Sequence, residues 1–96
     1  MPKQGYVYIL VSKRNGTLYT GVTSDLSRRM EEHRAGVAHR FTRRFGVNLL
    51  VYYELHDEIG LALSREKQIK NWKRIWKLQL IESINPNWVD LSSELM

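Results

Sequence analysis

The sequence predicts a small mixed α/β domain of the α+β kind, and three observations carry that expectation. A dense aromatic and aliphatic run near the N-terminus is followed by an Asn-Gly reversal and a second short apolar run. Apolar residues then recur at helical spacing after a cluster of capping residues. A third continuous apolar run precedes two more stretches of helical period. At 96 residues the chain has the size of one domain with one small core, and no interior for a large cofactor.

Residues 6–11 (Tyr6-Val7-Tyr8-Ile9-Leu10-Val11) have the composition of a well-buried strand. Lys13-Arg14-Asn15-Gly16 reverses the chain, and residues 17–22 return, so the chain opens with a β-hairpin. Side chains alternate along a strand, which groups Tyr6 with Tyr8 and Leu10, and Tyr19 with Thr17 and Gly21. Two tyrosines can therefore meet across the hairpin beside a glycine. Thr23-Ser24-Asp25 caps a first helix carrying Leu26, Met30, His33 and Val37 at helical spacing, and Ala35-Gly36 offers a stop. Residues 36–46 show no period and read as a long basic loop. Residues 47–55 read as a third strand, central and well buried. His56-Asp57-Glu58 caps a second helix over residues 59–71, with Ile59, Ala62, Leu63 and Ile69 as its apolar stripe. A third helix over residues 72–83 is expected to bury Trp72, Ile75, Trp76, Leu80 and Ile84, and Asn85-Pro86 ends it. One domain thus spans residues 1–96, with a core over 5–84 and a tail over 85–96. Trp88 and Leu91 anchor that tail, and its last residues are expected to be loose.

Lys and Arg number 15 against 10 Asp and Glu, a net charge of +5, which favours a polyanionic partner. The charge is clustered. Residues 65–77 hold six cations (Arg65, Lys67, Lys70, Lys73, Arg74, Lys77) and one anion, Glu66. Residues 34–44 add four arginines and His39 without an acid. Cysteine is absent, which excludes disulfide partners, thiolate nucleophiles and Cys-type zinc sites but leaves a hard, oxygen-bound metal open. No apolar run approaches the roughly 18 residues of a membrane span, and no secretory leader is evident, so a cytoplasmic location without membrane contact is expected.

Glu66 has Ala62, Leu63, Ile69 and Lys70 as its helical neighbours, so a carboxylate faces the apolar stripe and needs a cation or a metal. Pairing with Lys70 or Arg65 is the plainer reading. Arg29 and His33 lie four apart on one helical face, and the Arg fork suits phosphate, although an Asp25–Arg29 surface pair fits the spacing equally. Tyr8 and Tyr19 are simplest as core aromatics; a tyrosine becomes a general base only where cations or a metal lower its pKa from about 10. Phe41 and Phe45 interleaved with Arg40, Arg43 and Arg44 suit base stacking with phosphate contact, or else pin a loop to the core. Trp72 and Trp76 read as core.

Taken in order, Tyr6-Val7-Tyr8, Leu18-Tyr19-Thr20-Gly21, Arg29, His33 and Glu66 resemble the motif series of the GIY-YIG nuclease superfamily. The chain is most similar to its small single-domain bacterial branch, which shares stretches like Tyr19-Thr20-Gly21-Val22-Thr23-Ser24-Asp25-Leu26, Arg65-Glu66-Lys67-Gln68-Ile69-Lys70 and Asn85-Pro86-Asn87-Trp88. The resemblance implies a three-stranded antiparallel sheet flanked by helices, and hydrolysis of a nucleic-acid phosphodiester with one divalent metal, Mg²⁺ or Mn²⁺, held by Glu66. It further implies that Tyr19, with Tyr8, activates water, that Arg29 stabilises charge on the phosphate, and that His33 orients the nucleophile or a phosphate oxygen. Arg28, Arg34, Arg40, Arg43, Arg44, Lys67, Lys70, Lys73 and Arg74 are the expected nucleic-acid contacts, with DNA ahead of RNA and DNA repair as a setting. Tyr6 and Thr20 replace the first Gly and the second Ile of the two name-giving triplets, at positions that supply no catalytic side chain. Val22 stands where some members carry lysine, and the late asparagine of the family is Asn71 or Asn85. Relatives with known cleavage roles add a targeting domain, so a protein partner for targeting is expected here. A DNA- or RNA-binding module that keeps the fold without catalysis is the alternative, and a protein-interaction domain using the tryptophans is a third.

Overall fold

Strand β1 (Gly5–Val11) is apolar on both sides because it lies in the middle of the sheet. Its hairpin partner β2 (Leu18–Thr23) pairs along one edge and β3 (Leu49–His56) along the other, all antiparallel, in the order β2-β1-β3. The computed structural model describes residues 3–37 and 40–95; His39 of the basic stretch lies outside them. Val7, Ile9 and Val11 point to one face, where they meet Val51, Ala62, Ile69, Ile81 and Trp88. Tyr8 and Leu10 point to the other, against Leu26, Met30, Val47, Leu50 and Leu91.

The expectation of a central third strand is therefore corrected. β3 is an edge strand, and its run is apolar because both its faces are covered. Between Ile9 and Leu10 the register slips, so that Val51 on β3 has no partner on β1, a β-bulge. Its carbonyl accepts from Asn85 Nδ2 at 3.1 Å, and the neighbouring Leu50 N–H donates to Asp90 Oδ1 at 3.3 Å. The chain after the last helix thus ties itself to β3 by side-chain hydrogen bonds, one way of managing an exposed strand edge.

Helix α1 (Leu26–Arg34) follows local rules at both ends. Asp25 accepts from Arg28 N–H at 3.1 Å as the N-cap. At the other end Gly36, with φ +75°, lets its own N–H reach His33 O and the Val37 N–H reach Glu32 O, a Schellman stop. The expected basic loop instead contains helix α2 (Arg40–Phe45), a correction. Six residues are too few to show an apolar period, and the helix buries a polar side chain, Thr42.

Helix α3 (Ile59–Asn71) has the expected bounds and packs Ala62 and Ile69 under the sheet, while Leu63 stays 43% exposed. The last helix, α4 (Arg74–Ile84), starts two residues later than expected, because Trp72 and Lys73 are extended and form the joint with α3. Ile81 is its buried residue. Ile75, Trp76 and Ile84, expected in the core, are 54%, 49% and 57% exposed. Trp88 and Leu91 are buried anchors as expected, and the 3₁₀ turn Leu91–Leu95 is docked rather than loose, with Leu95 O accepting from Ser27 Oγ. Among the described residues no helix is long and apolar enough to cross a membrane.

On the α3 side, Glu54 of β3 accepts from the Tyr52 hydroxyl and from His56 Nε2, and Arg65 Nε lies 3.2 Å away with its guanidinium over the Trp72 ring. Burial would raise the Glu54 carboxyl, but the Tyr52 and His56 hydrogen bonds and the Arg65 charge outweigh it and hold the group below the usual carboxylate range. A depressed folded value contributes stability that is complete above the unfolded value, about 4.3, and is lost as pH falls through the folded one. Urea denaturation followed from pH 7 down to 2 should show Glu54→Gln less stable near neutrality and shallower in its acid decline; parallel curves for the two proteins would contradict this network.

Candidate active site

Register decides which tyrosines meet. Tyr8 pairs with Gly21 and Tyr19 with Leu10, which puts both phenol rings on one face with centroids 6.2 Å apart. Gly21 is what permits it: a Cβ there would stand 2.5 Å from Tyr8 Cζ and 2.9 Å from Tyr19 Cε1, far inside contact distance. His33 of α1 comes down on the same pair, its ring 5.9 Å from Tyr8 and 5.8 Å from Tyr19. Tyr8 Oη and His33 Nε2 are 3.2 Å apart, and His33 Nδ1 and Thr42 Oγ1 are 3.0 Å apart, all buried. Tyr8, His33 and Thr42 thus form one hydrogen-bonded chain that links the central strand to α1 and α2.

Burial pushes the Tyr8 phenol well above its ordinary range and Tyr19 pushes it further, while Arg29 pulls against both by charge and hydrogen bond. Tyr8 therefore keeps its proton at neutral pH. In one arrangement it donates to Nε2 and His33 Nδ1–H donates to Thr42; in the other tautomer both bonds reverse and the Tyr8 proton can turn toward a neighbour. Arg29 is one-third exposed, and its Nε lies 3.1 Å from Glu32 Oε1. The Asp25–Arg29 pair allowed by spacing is replaced by this one, since Asp25 serves as the cap of α1.

Tyr19 is half-buried and lines an open cavity with Leu18, Thr20, Phe41, Lys70 and Lys77. Glu66 adjoins it through Lys70: the Glu66 side chain is only 13% exposed, and its Oε1 lies 3.4 Å from Lys70 Nζ. Tyr8, Tyr19, Arg29 and His33 are thus gathered at one place, whereas Glu66 approaches from α3 with a lysine as its ion-pair partner. A single, largely buried carboxylate suits Mg²⁺, which is usually held by one or two carboxylates together with substrate phosphates. No group of three His, Asp or Glu side chains converges among the described residues, so water and phosphate oxygens would complete such a shell. Asn85, a candidate late asparagine, is saturated: its amide N–H groups go to Val51 O and Val89 O, and its oxygen accepts from Val89 N–H. Asn71 is exposed at the end of α3.

Arg28, Arg34, Arg40, Arg43, Arg44, Lys67, Lys70, Lys73 and Arg74 are all exposed. Arg28 is held by Glu32, Arg44 lies over Phe45, and Lys73 lies over Trp76. Arg74 is engaged in the fold, donating from Nη2 to the carbonyls of Asn15 and Gly16 in the hairpin turn. One contributor escaped sequence reasoning: Thr42 carries no signal beyond a hydroxyl nine residues after His33. Phe41, a base-stacking candidate by sequence, also stacks on Tyr19, 6.3 Å and 29° away.

A three-stranded antiparallel sheet whose first hairpin presents two tyrosines to a helical Arg and His, with an acid on the helix after β3, is the fold of a nuclease-like family. Residues 4–79 match the GIY-YIG catalytic domain, and the chain belongs to that family. It is 46% identical over 77 residues to a UPF0213 protein of Haloquadratum walsbyi, covering 80% of this chain and 85% of that one. A UPF0213 protein of Clostridium perfringens is 45% identical over 78 residues, covering 81% and 83%. The solution NMR structure of a UPF0213 protein from Bacillus halodurans superposes with a TM-score of 0.57 at 31% identity, covering 91% of this chain and 92% of that one.

Thr42→Val removes the buried hydroxyl that meets His33 Nδ1. It should cost about 1–3 kcal/mol in chemical denaturation. An unchanged midpoint would show that His33 is held by something else.

Proposed function

We propose that the protein is a metal-dependent nuclease that hydrolyses phosphodiester bonds of nucleic acid, DNA in the first instance. The observation that carries the reading is the gathering of Tyr8, Tyr19, Arg29 and His33 on one face of the sheet, in a chain whose residues 4–79 match the GIY-YIG catalytic domain. Tyr8 is buried and hydrogen-bonded to His33, whereas Tyr19 is half-buried at the mouth of the cavity, so Tyr19 is the tyrosine placed to take the proton of the attacking water as its own phenol proton passes to solvent. Tyr8 acts through His33, fixing its ring. Water oxygen bonds to phosphorus as the P–O bond to the leaving sugar oxygen breaks, and that oxygen is protonated from solvent. Arg29, always charged and partly exposed, faces the charge that grows on the phosphate oxygens. A divalent cation held by Glu66 would supply Lewis-acid stabilisation of the same charge.

Supercoiled plasmid, single-stranded DNA and a structured RNA, each incubated with Mg²⁺, Mn²⁺ or chelator, should show metal-dependent nicking or cutting of at least one substrate. Glu66→Ala should abolish it with the fold kept, and Arg29→Ala should lower it about 10²–10³-fold, the usual effect of removing one charge-stabilising donor. Binding without cleavage under every metal would overturn the nuclease reading in favour of a binding module that keeps the fold.

A further inference from the structure

The cavity beside Tyr19 holds more than the proposed chemistry uses. Its aromatic wall is a stack of Tyr19 and Phe41, and Phe41 is still 38% exposed although it also meets Phe45 at 4.9 Å. Lys70 and Lys77 stand on the other side, from α3 and α4. Lys77 is half-buried and donates from Nζ to Lys70 O at 3.3 Å, which fixes its ammonium on a carbonyl near the C-terminus of α3. It makes no ion pair among the described residues, whereas Lys70 is joined to Glu66. Burial, Arg74 and Lys70 all press the Lys77 ammonium below its ordinary range, so cations are crowded here and an anion would relieve them.

We propose that this cavity is a subsite for one unpaired nucleotide: its base stacks on Phe41 and its phosphate is held by Lys77 with Lys70. Aromatic stacking beside cations is the chemistry of sequence-tolerant single-strand binding, because every base has a π-face. A base paired within a duplex cannot offer that face, so the subsite selects single strands or frayed ends over blunt duplex. The subsite rests on the nuclease reading only for its position next to Tyr19; its own chemistry requires no cleavage.

The test uses Glu66→Gln protein with chelator present, so that nothing is cut. A short single strand carrying 2-aminopurine, and a blunt duplex of the same sequence, are titrated at several salt concentrations. The single strand should bind more tightly and its 2-aminopurine fluorescence should be quenched. In the same background Lys77→Met should lower the salt slope of single-strand binding by about 0.7, the loss of one phosphate contact. Phe41→Ala should weaken single-strand binding about tenfold with the slope unchanged and the quenching lost, and Phe41→Trp should restore both. Variants that bind the single strand as the parent does, or that lose single strand and duplex affinity equally, would overturn the subsite even if the wild-type protein cleaves. The expected pattern in a protein that cleaves nothing would uphold the subsite and discard the nuclease reading.

Discussion

Tyr8 lies in the central strand without access to solvent, and a buried hydroxyl lacking a partner costs about 1–3 kcal/mol. His33 meets that demand, and much of the face around it follows from the need to bring an imidazole there. Helix α1 must descend from β2 at the right height, which the Asp25 cap and the Gly36 stop arrange within nine residues. The second imidazole nitrogen is buried too, so α2 must present Thr42. Gly21 must lack a side chain, because the Tyr8 ring lies over its backbone. A structural requirement and a candidate chemical site are therefore built from the same atoms: the contacts that satisfy the buried phenol also hold a histidine and a half-exposed tyrosine within ring contact of each other.

The opposite face of the sheet does different work. There the side chains are aliphatic, α3 and α4 cover them, and Glu54 gathers Tyr52, His56 and Arg65 at the far end of β3. Asn85 and Trp88 belong to the same scheme. Asn85 spends its whole amide on the bulge carbonyl of Val51 and on Val89, and Trp88, at φ +55°, donates its indole N–H to Glu82 at 2.7 Å. A bulky residue held in the left-handed region is uncommon, and its buried ring and hydrogen bond indicate what holds it there. The Asn-Pro-Asn-Trp stretch thus has an architectural explanation independent of catalysis.

What was legible in the sequence is what local physics dictates. Strand alternation let Tyr8 and Tyr19 meet across the hairpin beside a glycine, capping rules bounded α1, and helical spacing gave α3 its limits and placed Glu66 one turn from Lys70. Strand order was not legible, because an apolar run reports burial of two faces and says nothing of which edge is paired. Helix α2 was invisible because its anchor is the tertiary hydrogen bond between Thr42 and His33. Trp76 was misread as core because spacing alone cannot tell which side of α4 faces the sheet; Ile81 sets that side, with Leu78 and Leu80 packed at its edges. The Asp25–Arg29 pair that spacing allows gives way to Arg29–Glu32 because Asp25 is needed as the cap of α1.

The proposed chemistry requires Glu66, arriving from α3, and the tyrosine–histidine cluster on the other face of the sheet to act as one site. Paramagnetic broadening by substoichiometric Mn²⁺ in isotope-labelled protein addresses it directly. The steepest loss of amide signal is expected around Tyr19, Arg29 and Glu66 together, with little change at the turn from Asn85 to Trp88, and no such pattern in Glu66→Gln. Broadening centred on Glu66 that spares Tyr19 and Arg29, or a pattern that survives in Glu66→Gln, would contradict it.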